Sequence, residues 1–317
     1  QFSKGAPIPS SARDTAMIPV TVIGGYLGAG KTTMINSLLA GDHGLRLAVL
    51  VNDFGAINID ARLIAAHDGD TISLSNGCVC CTIADALGEA LDKVLAMAVP
   101  PDHIVIEASG VANPAKIAMY GRGWPGLCLD GVIVLADGEN IQAQAADKFV
   151  GHTVQLQLAA ADILLLNKTD LLTGAQNQSV MTWLAVEASD SRVIPTSFGA
   201  IPFTILLGAA GLPQTIHAEP HATYQTVVFR TPRALDRERL LARIASWPRG
   251  VLRAKGLVRL GDDPVHAHVL QLVGCRHELS LGPAWREEVP ATQLVLIGIE
   301  GQIDSDCLRA SLLSACI

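Results

Sequence analysis

Residues 18–25 read "IPVTVIGG", an apolar, β-rich run that passes straight into "YLGAGKTT". Gly25, four intervening residues and then Gly30-Lys31-Thr32 fit the phosphate-binding pattern GxxxxGK[ST]. Few short patterns restrict a fold as much, because this one works only as strand, glycine-rich loop and helix start in that order. The glycines let backbone N–H groups wrap an anion. The N-terminus of the following helix adds a favourable field. The expected nucleotide contacts are Gly25, Gly28, Ala29, Gly30, Lys31, Thr32 and Thr33. In this reading Lys31 reaches the β- and γ-phosphates and serves catalysis, and the Thr32 hydroxyl binds Mg²⁺.

The surrounding pattern agrees with that start. Residues 46–52, 103–108, 131–137 and 162–167 are short runs, apolar almost throughout. That is the signature of parallel strands covered on both faces. Helices are predicted between them, over 31–40, 83–98 and 177–188. The first part of the chain is therefore an α/β fold, a P-loop domain with a parallel sheet flanked by helices. Residues 208–223, "GAAGLPQTIHAEPHAT", are rich in Gly, Pro and Ala and read as a linker. Beyond them, strand-like 224–231, a helix near 235–246, strands through 251–281, a strand at 293–300 and a last helix near 304–315 suggest a smaller α+β domain. Its sheet is expected to be mostly antiparallel. The division is a P-loop domain over 17–207, a linker over 208–222 and a C-terminal domain over 223–317. Residues 1–16 are set aside as a leader or loose arm.

The base is read from "LLLNKTDL", residues 164–171. Asn167-Lys168-x-Asp170 follows a buried strand and so falls at the sheet edge where ligands bind. The Asp170 carboxylate can accept from the N1–H and 2-amino groups of guanine. Adenine offers no such donor pair, so it would leave the carboxylate unpaired. GTP is the expected nucleotide. "VIEASG", 105–110, ends a strand with Glu107, placed to hold Mg²⁺ through water, and Gly110, whose N–H can meet the γ-phosphate. "VNDFGAINID", 51–60, is a long polar loop carrying Asp53 and reads as the segment that senses the nucleotide.

"SNGCVCCTI", 75–83, places Cys78, Cys80 and Cys81 within four positions just after the turn-forming Asn76-Gly77. A disulfide between such near neighbours is strained. The thiols can be inert, redox-active or metal-binding. The chain has seven cysteines in all and no repeating framework, which argues against a secreted disulfide scaffold and for the cytoplasm. The redox reading would favour a CxxC beside a thioredoxin-like pattern, and neither is present. Of 317 residues, 50% are hydrophobic and 17% charged, so the chain is globular. No apolar run suggests a membrane span. Residues 1–222 hold 20 acidic and 11 basic groups, and residues 223–317 hold 10 and 12. Without a basic run or an aromatic platform, nucleic acid is not an expected partner.

"GGYLGAGKTT", "VNDFGAINID", "LSNGCVCCTI", "IEASGVANP" and "LNKTDLL", in this order, resemble the CobW-type P-loop GTPases. That group includes cobalamin-synthesis, nitrile-hydratase activator and zinc chaperone proteins. "LLARIASWPRGVLRAKGLVRL" and "GPAW" resemble the C-terminal domain of the same family, so the likeness runs from 17 to 317. The sequence leaves monomer and homodimer both open, and the resemblance implies a metallochaperone. It would bind Zn²⁺ or Co²⁺ through the CxCC, hydrolyse GTP slowly and deliver the metal to an apo-metalloprotein client or a metal-insertion complex. Thiolates suit either metal, and three sulfurs leave one tetrahedral position for Asp53, a His, water or a client ligand. Two departures stand out. The family loop usually reads Asn-Glu-Phe-Gly, whereas Asp53 is one methylene shorter. In place of a His-rich stretch near the junction, the chain has His217 and His221, with His266 and His268 further on. Two rival readings remain. One is a switch or assembly GTPase with structural cysteines, and the other is a small-molecule P-loop kinase.

Overall fold

The computed structural model describes residues 17–41, 44–52, 71–74, 83–208, 224–285 and 289–317. The first sheet has seven strands, all paired in parallel: β1 (Ile18–Gly25), β2 (Leu47–Asn52), β3 (Thr71–Leu74), β4 (His103–Glu107), β5 (Leu127–Asp137), β6 (Ile163–Asn167) and β7 (Arg192–Pro195). Their order across the sheet is β3-β2-β4-β1-β5-β6-β7. Helices α1 (Lys31–Ala40), α2 (Ile83–Leu95), α3 (Pro114–Gly123), α4 (Ile141–Ala146), α5 (Gly151–Ala160), α6 (Gly174–Glu187) and α7 (Phe203–Leu207) connect the strands. In α2, Leu87, Leu91 and Val94 are buried together with Ala90, an i, i+3, i+4, i+7 stripe laid on the sheet. Thr173 and Gln176 form a capping box that starts α6.

The second sheet holds β8 (Tyr224–Thr231), β9 (Val251–Val258), β10 (His266–Val273), β11 (Arg276–Ala284) and β12 (Thr292–Ile299), in the order β11-β10-β9-β12-β8. All of its pairs are antiparallel. Helices α8 (Arg237–Ala245) and α9 (Ser305–Leu313) begin at Asp236 and Asp304, whose carboxylates accept first-turn N–H groups. Leu240 and Ile244 of α8 and Leu308 and Leu312 of α9 are buried in a core with β8, β9, β10 and β12.

Where the sheets meet, polar groups are sunk into an apolar surround. Asp130 of β5 accepts from the Arg253 guanidinium of β9, and Thr21 of β1 is 2.8 Å from the ring of His103 on β4. Arg253 also donates to the carbonyl of Ile205 at 2.7 Å, tying in α7. Burial pushes the Asp130 carboxyl upward, but Arg253, His103 and Lys255 outweigh it and hold the pKa below the ordinary value. Arg276 grips Asp162 through two hydrogen bonds of 2.9 Å, a second tie between the sheets.

The parallel first sheet and the antiparallel second sheet match the sequence reading. Strands β3 and β7, and helices α3, α4, α5 and α7, were not predicted. The Ala- and Gly-rich helical segments lack a strong 3.6-residue apolar period, and β3 and β7 have only four residues each. The arm 1–16 lies outside the described residues, as does all of the proposed linker except Gly208.

Candidate functional site: the nucleotide edge of the parallel sheet

β1, β4, β5 and β6 all end on one edge of the sheet, the carboxyl edge where open α/β sheets bind ligands. β1 delivers the glycine loop. Gly30 is the residue before α1 and has φ of 102°, a left-handed conformation that suits glycine. A Cβ there would run into the Asn167 side-chain amide, so close approach also demands glycine. The first-turn N–H groups of Lys31, Thr32 and Thr33 have no preceding helical carbonyl and face outward, where an anion can take them. Lys31 is buried and donates to the carbonyl of Gly25 at 2.9 Å and to that of Tyr26 at 3.4 Å. The ammonium is thus held over the loop that the sequence assigns to phosphate.

Glu107 closes β4, buried, in register with Ile23 of β1 and Val51 of β2. The residue therefore sits on the central strand between the loop strand and the strand that leads to Asp53. Gly110 follows, so close to Leu27 of the glycine loop that a side chain would not fit. Its carbonyl accepts from Gln157 of α5 at 3.0 Å, which fixes the turn. Hard oxygen donors from Thr32 and Glu107 are the donor type that Mg²⁺ prefers.

The Asn167-Lys168-Thr169-Asp170 stretch is built into the same edge. The Asn167 side chain bridges two loops, donating to the Ala29 carbonyl at 2.8 Å and accepting from Gly199 N–H at 2.9 Å. Lys168 has φ of 64° and sends its ammonium to Asp137 at 2.8 Å. Burial pushes the Asp137 carboxyl up, but hydrogen bonds from Lys168, Asn140 and the Glu139 N–H prevail and lower its pKa. Asp170 is exposed at the rim. The structure thus brings Gly25, Gly28, Ala29, Gly30, Lys31, Thr32, Thr33, Glu107, Gly110, Asn167, Lys168 and Asp170 to one edge. Asp53, Cys78, Cys80 and Cys81 lie outside the described residues, as do His217 and His221.

Two contributors were not picked out from the sequence. Asp137 ends the strand 131–137 and fixes the position of Lys168. The turn "SFGA", 197–200, follows β7 and anchors Asn167 through Gly199. A polar residue ending a buried apolar run, and a glycine just after a strand, were the signals available. A hollow of about 410 Å³ lies elsewhere, toward the amino ends of β5 and β6, beside Ala118, Arg122, Asp162, Cys275 and Arg276. It touches none of the phosphate or base residues.

Comparison with known proteins matches this architecture. Residues 19–194 match the family described as CobW/HypB/UreG, nucleotide-binding domain, and residues 224–316 match the cobalamin synthesis protein cobW C-terminal domain. A zinc chaperone CobW from Sinorhizobium sp is 30% identical over 93% of this chain and 96% of its own length. The zinc chaperone YjiA of Escherichia coli is 28% identical over 93% of this chain and 97% of its own length. A zinc-regulated GTPase metalloprotein activator 1 from Schizosaccharomyces pombe is 34% identical over 58% of this chain and 47% of its own length. With both of its parts matched in order, the chain belongs to the CobW family of nucleotide-binding proteins.

Proposed function

We propose that this protein is a GTP-hydrolysing metallochaperone that loads a divalent transition metal and passes it to a client protein. The observation that carries the reading is the Asn167 bridge. It fastens the base-reading stretch to the phosphate loop at Ala29 with a 2.8 Å hydrogen bond, making one site for base and phosphates together. Family membership and the zinc chaperone names of the relatives support the metal half. Zn²⁺ is the favoured cargo and Co²⁺ the second.

Hydrolysis joins water to the γ-phosphorus and breaks the bond to the β-phosphate oxygen, giving GDP and phosphate. Lys31 neutralises charge on the β- and γ-oxygens as it builds up. The loop and helix N–H groups hold the phosphates in line. Glu107, on its rigid strand end, and Asp53 orient the attacking water and the γ-phosphate side of the site. Thr32 and Glu107 would hold Mg²⁺, which when bound would supply positive charge to offset that of the phosphates.

Cys78, Cys80 and Cys81 lie in sequence between the Asp53 loop and β4, which carries Glu107. In this reading GTP bound at that edge brings the thiolates together and hydrolysis parts them. A three-sulfur shell leaves a position open to the client, which transfer requires. The acceptor is an apo-metalloprotein in the cytoplasm, where thiols stay reduced. No helix among the described residues is long and apolar enough to cross a membrane.

The test is a four-cornered binding cycle under anaerobic conditions with Mg²⁺. Metal affinity is measured with GDP and with a non-hydrolysable GTP analogue, and nucleotide affinity with and without metal. Coupling is reciprocal, so each affinity should change by the same factor, about 5- to 150-fold. Cys80→Ser with Cys81→Ser should abolish the coupling while leaving metal-free GTP binding intact. Equal metal affinity in both nucleotide states would instead favour an assembly GTPase whose cysteines are structural.

A further inference from the structure

Among the described residues, only Lys168 and Phe198 are non-glycine residues with positive φ, at 64° and 57°. They lie on adjacent loops of the nucleotide edge. Phe198 and Gly199, with φ of 67°, form the centre of a turn closed by the Ala200 N–H donating to the Ser197 carbonyl at 3.0 Å. Two positive φ values in succession are the habit of Asn, Asp and Gly; a bulky aromatic there is a strained choice. Strain of this kind persists where the surroundings over-determine it, and it concentrates at functional sites.

The surroundings of Phe198 are indeed over-determined. Ser197 and Thr196 are buried, and the Thr196 carbonyl accepts from both the N–H and the hydroxyl of Thr169, at 3.2 and 2.9 Å. Gly199 is pinned to Asn167, and a side chain there would strike Met34 of α1. Both chain neighbours of Phe198 are therefore fastened to the Asn-Lys-Thr-Asp loop, Ser197 through Thr169 and Gly199 through Asn167. Phe198 itself is 71% exposed. The fold bends the backbone unfavourably to hold an apolar ring in the open, beside the loop that reads the base.

We propose that the Phe198 ring is a wall of the base pocket, stacking on the purine opposite the Lys168 stem. This rests on the guanine-nucleotide reading above and adds to it a residue that sets affinity for the base. Lys168 suits the opposing role because its ammonium is tethered to Asp137, which stretches the four-carbon stem across the site. A purine placed between stem and ring would cover apolar surface on both faces, and aromatic stacking contributes to nucleotide affinity whatever the base edge presents. Asp170 then supplies the edge recognition that stacking cannot.

The experiment is calorimetric titration of GDP and ADP into wild type, Phe198→Ala, Phe198→Leu and Phe198→Tyr, with thermal unfolding of each to confirm the fold. Phe198→Ala is expected to bind GDP about tenfold more weakly. Phe198→Leu should also be weakened although it is bulky and apolar, whereas Phe198→Tyr, which keeps the ring, should bind as wild type does. In turnover assays the loss should fall on KM rather than kcat, because the ring is remote from the γ-phosphate. Full GDP affinity in both Phe198→Ala and Phe198→Leu would overturn the proposal and leave the ring as a contact for another protein. A wild type that fails to prefer GDP over ADP would instead overturn the guanine reading, so the two failures are distinguishable.

Discussion

The guanidinium of Arg253 on β9 donates to the carboxylate of Asp130 on β5, and the two side chains are 2% and 1% exposed. Each sheet contributes one charge to a pair that water hardly reaches. Removing one partner from such a pair strands the other. Arg253→Met should therefore cost roughly 3–5 kcal/mol of stability. Adding Asp130→Asn should recover a large part of that loss, because no charge is then left buried. Denaturant unfolding of the two single variants and the double gives the coupling. Additive losses would show that the pair does not stabilise the interface.

His103 sits beside the pair, fully buried, and burial lowers its pKa from 6.5 to about 4, with Asp130 opposing and Arg253 and Lys255 assisting. In the unfolded chain the imidazole takes a proton near pH 6.5, and in the folded protein it does not until about pH 4. Its contribution to stability is complete above pH 6.5 and is lost as the pH falls toward 4. The loss is on the order of 3 kcal/mol. Asp130, with its lowered pKa, adds loss of the same sign at lower pH. Unfolding free energies measured from pH 7.5 to 4.5 should show the slope, and His103→Gln should flatten it. An unchanged slope in that variant would assign the acid sensitivity elsewhere.

Lys31→Ala should abolish GTP hydrolysis and weaken nucleotide binding. The ammonium is already held over the glycine loop by the Gly25 and Tyr26 carbonyls, so little reorganisation is needed when phosphate arrives. Phosphate release by the variant, measured at saturating GTP, checks the role. Normal turnover would remove Lys31 from the catalytic machinery.

Asp170→Asn should weaken GTP and admit xanthosine triphosphate. The amide can donate to the oxygen that replaces the 2-amino group of guanine, whereas a carboxylate repels it. Competition between the two nucleotides in the variant and the wild type gives the ratio. The expected reversal needs Asp170 at the base edge, and an unchanged ratio would move base recognition to another residue.

The glycine loop and the Asn167-Lys168-x-Asp170 stretch were legible because each couples residue type to a fixed position at a strand end. The predicted bounds of β1 and α1 coincide with the observed ones, since an apolar run, a glycine turn and a helix start leave little freedom. The interdomain cluster was not legible. Thr21, His103 and Asp130 are isolated polar residues on apolar strands, and nothing local indicates that Arg253, 123 positions beyond Asp130, meets them. Phe198 was hidden for a related reason. An aromatic in "TSFGA" suggests packing, and only the observed φ of 57° and the exposure of the ring show that it does not pack. The His266 and His268 pair is held by Asp263, whose carboxylate lies 3.2 Å from both rings, a contact sequence spacing alone would not reveal.

Leu252, Val273 and Ile297 of the second sheet belong to the same apolar cluster as Ile133, Ile163 and Ile205 of the first part of the chain. A core shared across two sheets cannot melt on one side without exposing the other. Scanning calorimetry of the whole chain should therefore register one cooperative transition. GDP, proposed to bind at the edge of the parallel sheet, should then raise the midpoint for both sheets together.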